Sequence, residues 1–194
     1  MISSIRSRWW AENTLCRYFV TKTKCACSAK VQCLPVRMVL NSVINHCYDF
    51  GVQLRYQFRV YPTPRQQNLL ARAFGCARVV FNDALGARER SRRAGGPYLS
   101  DAEVSKALTG AKRTPERVWL GEVSSVVLQQ ALADLNTAYR NFFASVTGKR
   151  KGGRIGSPRF RSGRDNRQSI RFTRNARFQI MPGGMLRLPK IGDV

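Results

Sequence analysis

The chain has 194 residues, with 34 Lys+Arg against 11 Asp+Glu, a formal charge of +23 and a pI near 11.1. A charge of that size repels itself unless a polyanion neutralises it, which makes nucleic acid the expected partner. The sequence contains no run of about 18 apolar residues, which excludes a bilayer-spanning helix, and no membrane partner is expected.

Charge and cysteine divide the chain unevenly. Residues 1–51 carry 7 basic and 2 acidic side chains, and residues 52–194 carry 27 and 9. Cys16, Cys25, Cys27, Cys33 and Cys47 precede residue 52, and Cys76 follows it. The first stretch, with Trp9-Trp10 and His46, shows no sustained period of 2 or 3.6. Arg6 and Arg8 lead into no continuous apolar core, and Glu12 interrupts, so no signal peptide is read. Cys25, Cys27, Cys33 and Cys47 offer four thiols. Their first pair is C-x-C and no second pair follows, which departs from zinc-site spacing. Nothing else suggests export, so a disulfide framework is not expected, and a cytoplasmic location is. Residues 1–51 are therefore read as a poorly ordered or non-native extension, with Met38 an alternative start.

From Val52 to Val60 apolar Val52, Leu54, Tyr56, Phe58 and Val60 alternate with Gln53, Arg55, Gln57 and Arg59. This period of 2 predicts a half-buried strand over 52–62 with Arg55 and Arg59 on a nucleic-acid-facing side. A helical segment is expected over 63–148. Thr63 and Pro64 open a helix whose apolar stripe is Leu69, Leu70, Ala73 and Phe74, and Gly75 is expected to break or kink it. A second helix would carry Ala77, Val80, Phe81, Ala84 and Leu85, ending in the basic stretch Arg88 to Arg93. Ser100-Asp-Ala-Glu103 is a capping box, and Thr114-Pro115 opens a turn with Trp119 and Leu120. Ser124 or Ser125 caps a long helix with the stripe Leu128, Ala131, Leu132, Leu135, Ala138, Tyr139, Phe142, Phe143 and Val146, stopped by Gly148. Core packing accounts for these apolar positions, and the helices together suggest a helix-turn-helix-like bundle.

Residues 149–194 form the most basic part. From Lys149 to Arg177 there are 11 basic residues and one acid, Asp165. Lys149, Arg150, Lys151 and Arg154 sit in a glycine-rich loop, while Arg159, Phe160, Arg161 and Arg171, Phe172, Arg174 interleave arginines with rings. Guanidinium forks suit phosphates and rings suit unpaired bases, so these residues are the expected contacts. Short strands are expected at 169–173, 177–181 and 185–188, with Pro182-Gly183-Gly184 turning the last two. The order strand, helices, strands is an α+β pattern, in which the first strand joins the late ones in one sheet or small barrel.

Five phrases carry a resemblance. They are Tyr56-Gln-Phe-Arg-Val-Tyr-Pro-Thr-Pro64, Phe74-Gly-Cys-Ala-Arg-Val-Val-Phe-Asn82, Glu122-Val-Ser-Ser125 with Leu128-Gln-Gln-Ala-Leu132, Ser157-Pro-Arg-Phe160, and Leu186-Arg-Leu-Pro-Lys-Ile-Gly192. In this order and spacing the chain resembles the transposase-associated OrfB or TnpB proteins of bacterial insertion sequences, over about residues 54–192. The resemblance implies a small wedge-like β-barrel interrupted by a helical recognition insert, holding a guide RNA and an RNA–DNA duplex. It also implies a downstream RuvC-like nuclease domain with metal-binding acids and a zinc-binding insert.

The sequence ends at Val194, just after the last of these phrases. The expectation is thus a truncated transposase-type protein of an insertion sequence that binds RNA and/or DNA, with no catalytic residues, metal or cofactor of its own. Asp83, Glu89, Asp101, Glu103, Glu116, Glu122 and Asp134 are scattered and read as caps or solvated charges, not a two-metal site. A lone His46 does not supply the paired histidines of the other transposase type. Two other readings stand beside this one: a free-standing RNA-binding protein that antagonises an intact relative, and a helix-turn-helix regulator reading duplex DNA through residues 65–146.

Overall fold

A computed structural model describes the backbone of residues 17–22, 36–44 and 52–59, and residues 60–165, 168–173 and 176–194 with their side chains. The candidate zinc thiols Cys25, Cys27, Cys33 and Cys47, together with His46 and Arg174, lie outside the described residues.

Four strands form an antiparallel sheet in the order β3-β2-β1-β4: β1 (Arg17–Lys22), β2 (Val36–Ile44), β3 (Val52–Val60) and β4 (Ser169–Thr173). The expected barrel does not form, because β3 and β4 stand at opposite edges of an open sheet. The first predicted strand reaches β4 only through β2 and β1, and four strands are too few to close around an interior of side chains. Two of these strands fall within the stretch where the sequence shows no period. Ladder bonds use backbone groups that every residue carries, so such pairing leaves little mark in the side-chain pattern.

Between β3 and β4 lie the helices. Helix α1 (Pro64–Arg93) opens with a capping box, in which Thr63 accepts from the Gln66 N–H and Gln66 accepts in return from the Thr63 N–H. The expected break at Gly75 is absent, and α1 runs unbroken for 30 residues, roughly 45 Å. One glycine in a helix costs about 1 kcal/mol. Here it interrupts no part of the buried face Leu70, Ala73, Phe74, Ala77, Val80, Phe81, Ala84 and Leu85. Helix α2 (Asp101–Ala111) starts at the Ser100–Glu103 capping box, and a 3-10 turn (Val118–Glu122) buries Leu120. Helix α3 (Ser125–Val146) ends at Thr147 and Gly148, whose φ of 70 suits the residue after a helix.

The core lies where α1, α2 and α3 meet β4. Leu85, Leu120, Val127, Leu128, Leu135 and Phe172 are its most enclosed side chains. β4 alternates, burying Ile170 and Phe172. A small ribbon of β5 (Gln179–Ile180), β6 (Leu186–Leu188) and β7 (Gly192–Asp193) adds Leu186, Leu188 and Ile191. The side-chain amide of Gln66 donates to the Asp193 carbonyl, which ties the ribbon to the start of α1.

Candidate nucleic-acid interface

The basic segment after α3 is held by backbone bonds at its root and by side chains farther on. The Arg150 N–H donates to the Ala144 carbonyl at 3.1 Å, and the Ile155 N–H donates to Ser145 Oγ at 2.9 Å. These two bonds pin the loop against the end of α3 and leave Lys149, Arg150, Lys151 and Arg154 exposed. Farther on, Asn82 of α1 grips the backbone of Arg161. Its Nδ2 donates to the Arg161 carbonyl at 3.0 Å, and its Oδ1 accepts from the Arg161 N–H at 2.8 Å.

The predicted contact residues separate into two groups. Arg159 is exposed, and Phe160 is 55 % exposed beside Gly86 of α1. Arg161 and Arg171 turn inward to a shared carboxylate on α3: Arg171 meets Asp134 at 2.8 Å and Arg161 meets it at 3.5 Å. Arg171 also reaches Gln130 at 3.4 Å, and the Arg161 guanidinium lies 3.9 Å from the Phe81 ring centre. Phe172 is corrected from a stacking ring to a core residue, because it is wholly buried and no base can reach it. Arg55 and Arg59 sit on β3 opposite Asn41 and Arg37 of β2.

Two features went unread in the sequence. Asn82 was visible as part of a phrase but not as a backbone clamp, since its partner lies 79 residues away. Asp134 was one acid on a helix, and only folding sets two arginines around it. The end of α1 presents exposed Arg90, Arg92 and Arg93, favourable at a helix C-terminus. Between α1 and the strand approach lies a cavity of about 120 Å³ lined by Phe74, Ala77, Arg78, Arg161, Asp165, Gln168 and Ser169.

A second basic-aromatic cluster forms where α1, α3 and the 94–100 turn meet. Arg88 is 4 % exposed and stands 4.8 Å from the Tyr98 ring centre and 5.1 Å from that of Tyr139. Its Nε donates to the Leu99 carbonyl, and Nη2 pairs with Asp101 at 2.9 Å. Burial pushes the phenols of Tyr98 and Tyr139 above their ordinary range, with Arg88 pulling the other way. The carboxylates are dispersed and mostly engaged: Asp83 by Arg117, Glu122 by Arg72 and Asp193 by Arg187. Among the described residues no group of three or more His, Cys, Asp or Glu side chains is placed to hold a metal ion, and no helix is long and apolar enough to cross a membrane.

Comparison with known proteins agrees on one family. A family model described as a helix-turn-helix domain, of the OrfB kind, matches residues 52–97. In this structure those residues contain β3 and α1. The chain is 42 % identical over 125 residues to a protein of Streptomyces pristinaespiralis named as a candidate RNA-guided DNA endonuclease, a match that covers 64 % of this chain and 29 % of that protein. It is 31 % identical over 137 residues to the candidate RNA-guided DNA endonuclease InsQ of Escherichia coli K12, covering 71 % of this chain and 32 % of that one. It is also 30 % identical over 91 residues to virulence protein VsdF of Salmonella dublin, covering 43 % of this chain and 76 % of VsdF. The chain thus spans about a third of the length of the two endonuclease-named relatives.

Proposed function

The chain belongs to the OrfB/TnpB-type family of insertion-sequence proteins, and on that premise we propose that it is a transposase-type protein that holds a guide-type RNA, a DNA target or both in transposition. The observation that carries the reading is the run of exposed cations Lys149, Arg150, Lys151, Arg154 and Arg159, with half-exposed Phe160 against Gly86 of α1. No acid lies between Glu122 and Arg159 except Asp134, and Asp134 is turned inward on Arg161 and Arg171. Phosphates approaching this strip meet one sign of charge, and releasing their counterions drives binding. Arg55 and Arg59 belong to the same reading as contacts on β3.

The reading is one of binding rather than cleavage. Two-metal hydrolysis needs clustered free carboxylates. Here Asp83, Asp101, Asp134, Asp193, Glu89 and Glu122 are each occupied by an arginine at a separate place.

Binding of the full chain to structured RNA, single-stranded RNA and duplex DNA across a salt series tests the proposal. Replacing Lys149, Arg150, Lys151, Arg154 and Arg159 by Ala should weaken binding and flatten the salt slope by about 0.7 per lost contact on single strands and about 0.9 on duplex DNA. An unchanged slope would place the interface elsewhere. Sequence-selective duplex binding with no RNA preference would favour the regulator reading, which the helix-turn-helix match to residues 52–97 keeps in view. Metal-dependent nicking by the purified chain would overturn the binding-only assignment.

A further inference from the structure

The apolar stripe of α3 runs past the core it serves. Leu128, Leu132 and Leu135 are buried, but Phe143 is 46 % exposed and Val146 is 60 % exposed. Tyr98 reaches over from the turn after α1 and is 52 % exposed. The rings form a set: Tyr139 and Phe143 lie at 25° with centres 6.0 Å apart, Tyr98 stands edge-on to both at 5.9 and 6.0 Å, and Phe142 adjoins Phe143 at 5.3 Å. Beneath them the buried Arg88 guanidinium fixes Tyr98 and Tyr139, and its Nη1 has no hydrogen-bond partner. Around them stand exposed cations: Arg92 from α1, close enough to act on Tyr139, Arg140 from α3, and Lys149 and Arg150 from the loop that starts one turn beyond Phe143.

Resting on the reading of the chain as a nucleic-acid binder, we propose that Tyr98 and Phe143 form a stacking platform for unpaired bases of a single strand, whose phosphates run over Arg92, Arg140, Lys149 and Arg150. Charge selects this occupant. A second copy of the chain would bring the same cationic rim against itself, and +23 per chain makes that contact repulsive. A single strand supplies flat apolar faces and anionic links together, which is what rings bordered by arginines accept. The nearby acids do not oppose it: Asp101 is paired with Arg88 and Glu89 with Arg93. A duplex hides its base faces, so the platform favours unpaired segments.

The test uses the full chain with two probes, a single-stranded oligouridine and the same sugar–phosphate chain with abasic positions. Wild type should prefer the base-bearing strand. Tyr98→Ala with Phe143→Ala should lower affinity for it by about tenfold and leave abasic binding unchanged. Tyr98→Phe and Phe143→Trp keep a ring and should keep the preference, which separates loss of stacking from loss of folding. Equal loss on both probes, or no loss on either, overturns the platform while leaving phosphate binding in place. Wild type that binds neither probe overturns both the platform and the binding function it rests on. Self-association that the alanine pair abolishes would assign the rings to a second copy instead.

Discussion

Asn82 holds the backbone of Arg161 with both ends of its amide, donating one hydrogen bond to its carbonyl at 3.0 Å and accepting a second from its N–H at 2.8 Å. The pair imitates a strand pairing made by a side chain, and it docks the basic segment onto α1. Asn82→Ala strands a part-buried N–H and carbonyl together. It should cost about 2 kcal/mol and raise hydrogen exchange across residues 155–165. Asn82→Asp keeps the acceptor for the Arg161 N–H but loses the donor, so it should fall between the two. Unchanged exchange in Asn82→Ala would mean that the segment is held by its other contacts.

Asp134 sets a sharper contrast between arginines that hold the fold and arginines that reach solvent. Arg161 and Arg171 both pair with it and retain 32 % and 23 % side-chain exposure, so solvent screens the pairs. Asp134→Ala should therefore cost only about 1–2 kcal/mol, less than a fully buried pair would. Arg171→Ala should lower the thermal midpoint and leave the salt slope of RNA binding close to wild type. Arg159→Ala should do the reverse. A steep slope loss from Arg171→Ala at unchanged stability would return Arg171 to the interface.

These arginines show what the sequence could and could not reveal. Caps were legible, because Thr63–Gln66 and Ser100–Glu103 act over three residues. So were the strands at 52–60 and 169–173, and the α3 stripe up to Leu135. Sign density placed the basic loop on the surface. It could not sort Arg159 from Arg161, since the carboxylate that draws one inward sits on another helix. Phe160 and Phe172 look alike in sequence, yet one is half-exposed and the other sealed, a difference made by the packing of β4 on α3. The uninterrupted α1 was hidden by Gly75, where local propensity argued for a break and the buried face on both sides overrode it.

The Ser100–Glu103 capping box and the Arg187–Asp193 pair make stability fall on the acid side. Hydrogen bonds from the Ser100 hydroxyl and backbone N–H hold the Glu103 carboxyl below its ordinary range. The Asp193 carboxyl is lowered in the same way by its hydrogen bonds from Arg187. A lowered folded pKa means that the folded state favours the ionised form. The contribution is present above the unfolded pKa and is lost as pH falls through the folded one. Glu103→Gln should therefore flatten the acid limb of a melting-temperature series taken from neutral to strongly acidic pH. Parallel wild-type and variant limbs would show that Glu103 contributes no linkage.

Arg88 and Asp101 are an unequal pair, and the inequality predicts which partner is costlier to remove. The Arg88 side chain is 2 % exposed and that of Asp101 is 56 % exposed, at 2.9 Å. Arg88→Met removes a buried cation that already leaves Nη1 without a hydrogen bond, and Asp101 simply returns to water. The methionine stem still fills the space between Tyr98 and Tyr139, and the remaining cost is the Leu99 carbonyl losing its donor. That variant should lose about 1 kcal/mol or less. Asp101→Ala leaves the guanidinium buried with its charge uncompensated, and it also removes an acid from the first turn of α2. It should lose about 2 kcal/mol, with Asp101→Asn between the two because its carbonyl still accepts from Nη2. Chemical denaturation of the three variants measures the order directly. If Arg88→Met proves the more damaging, the two tyrosine rings and the Leu99 carbonyl, rather than the carboxylate, are what hold the cation in place.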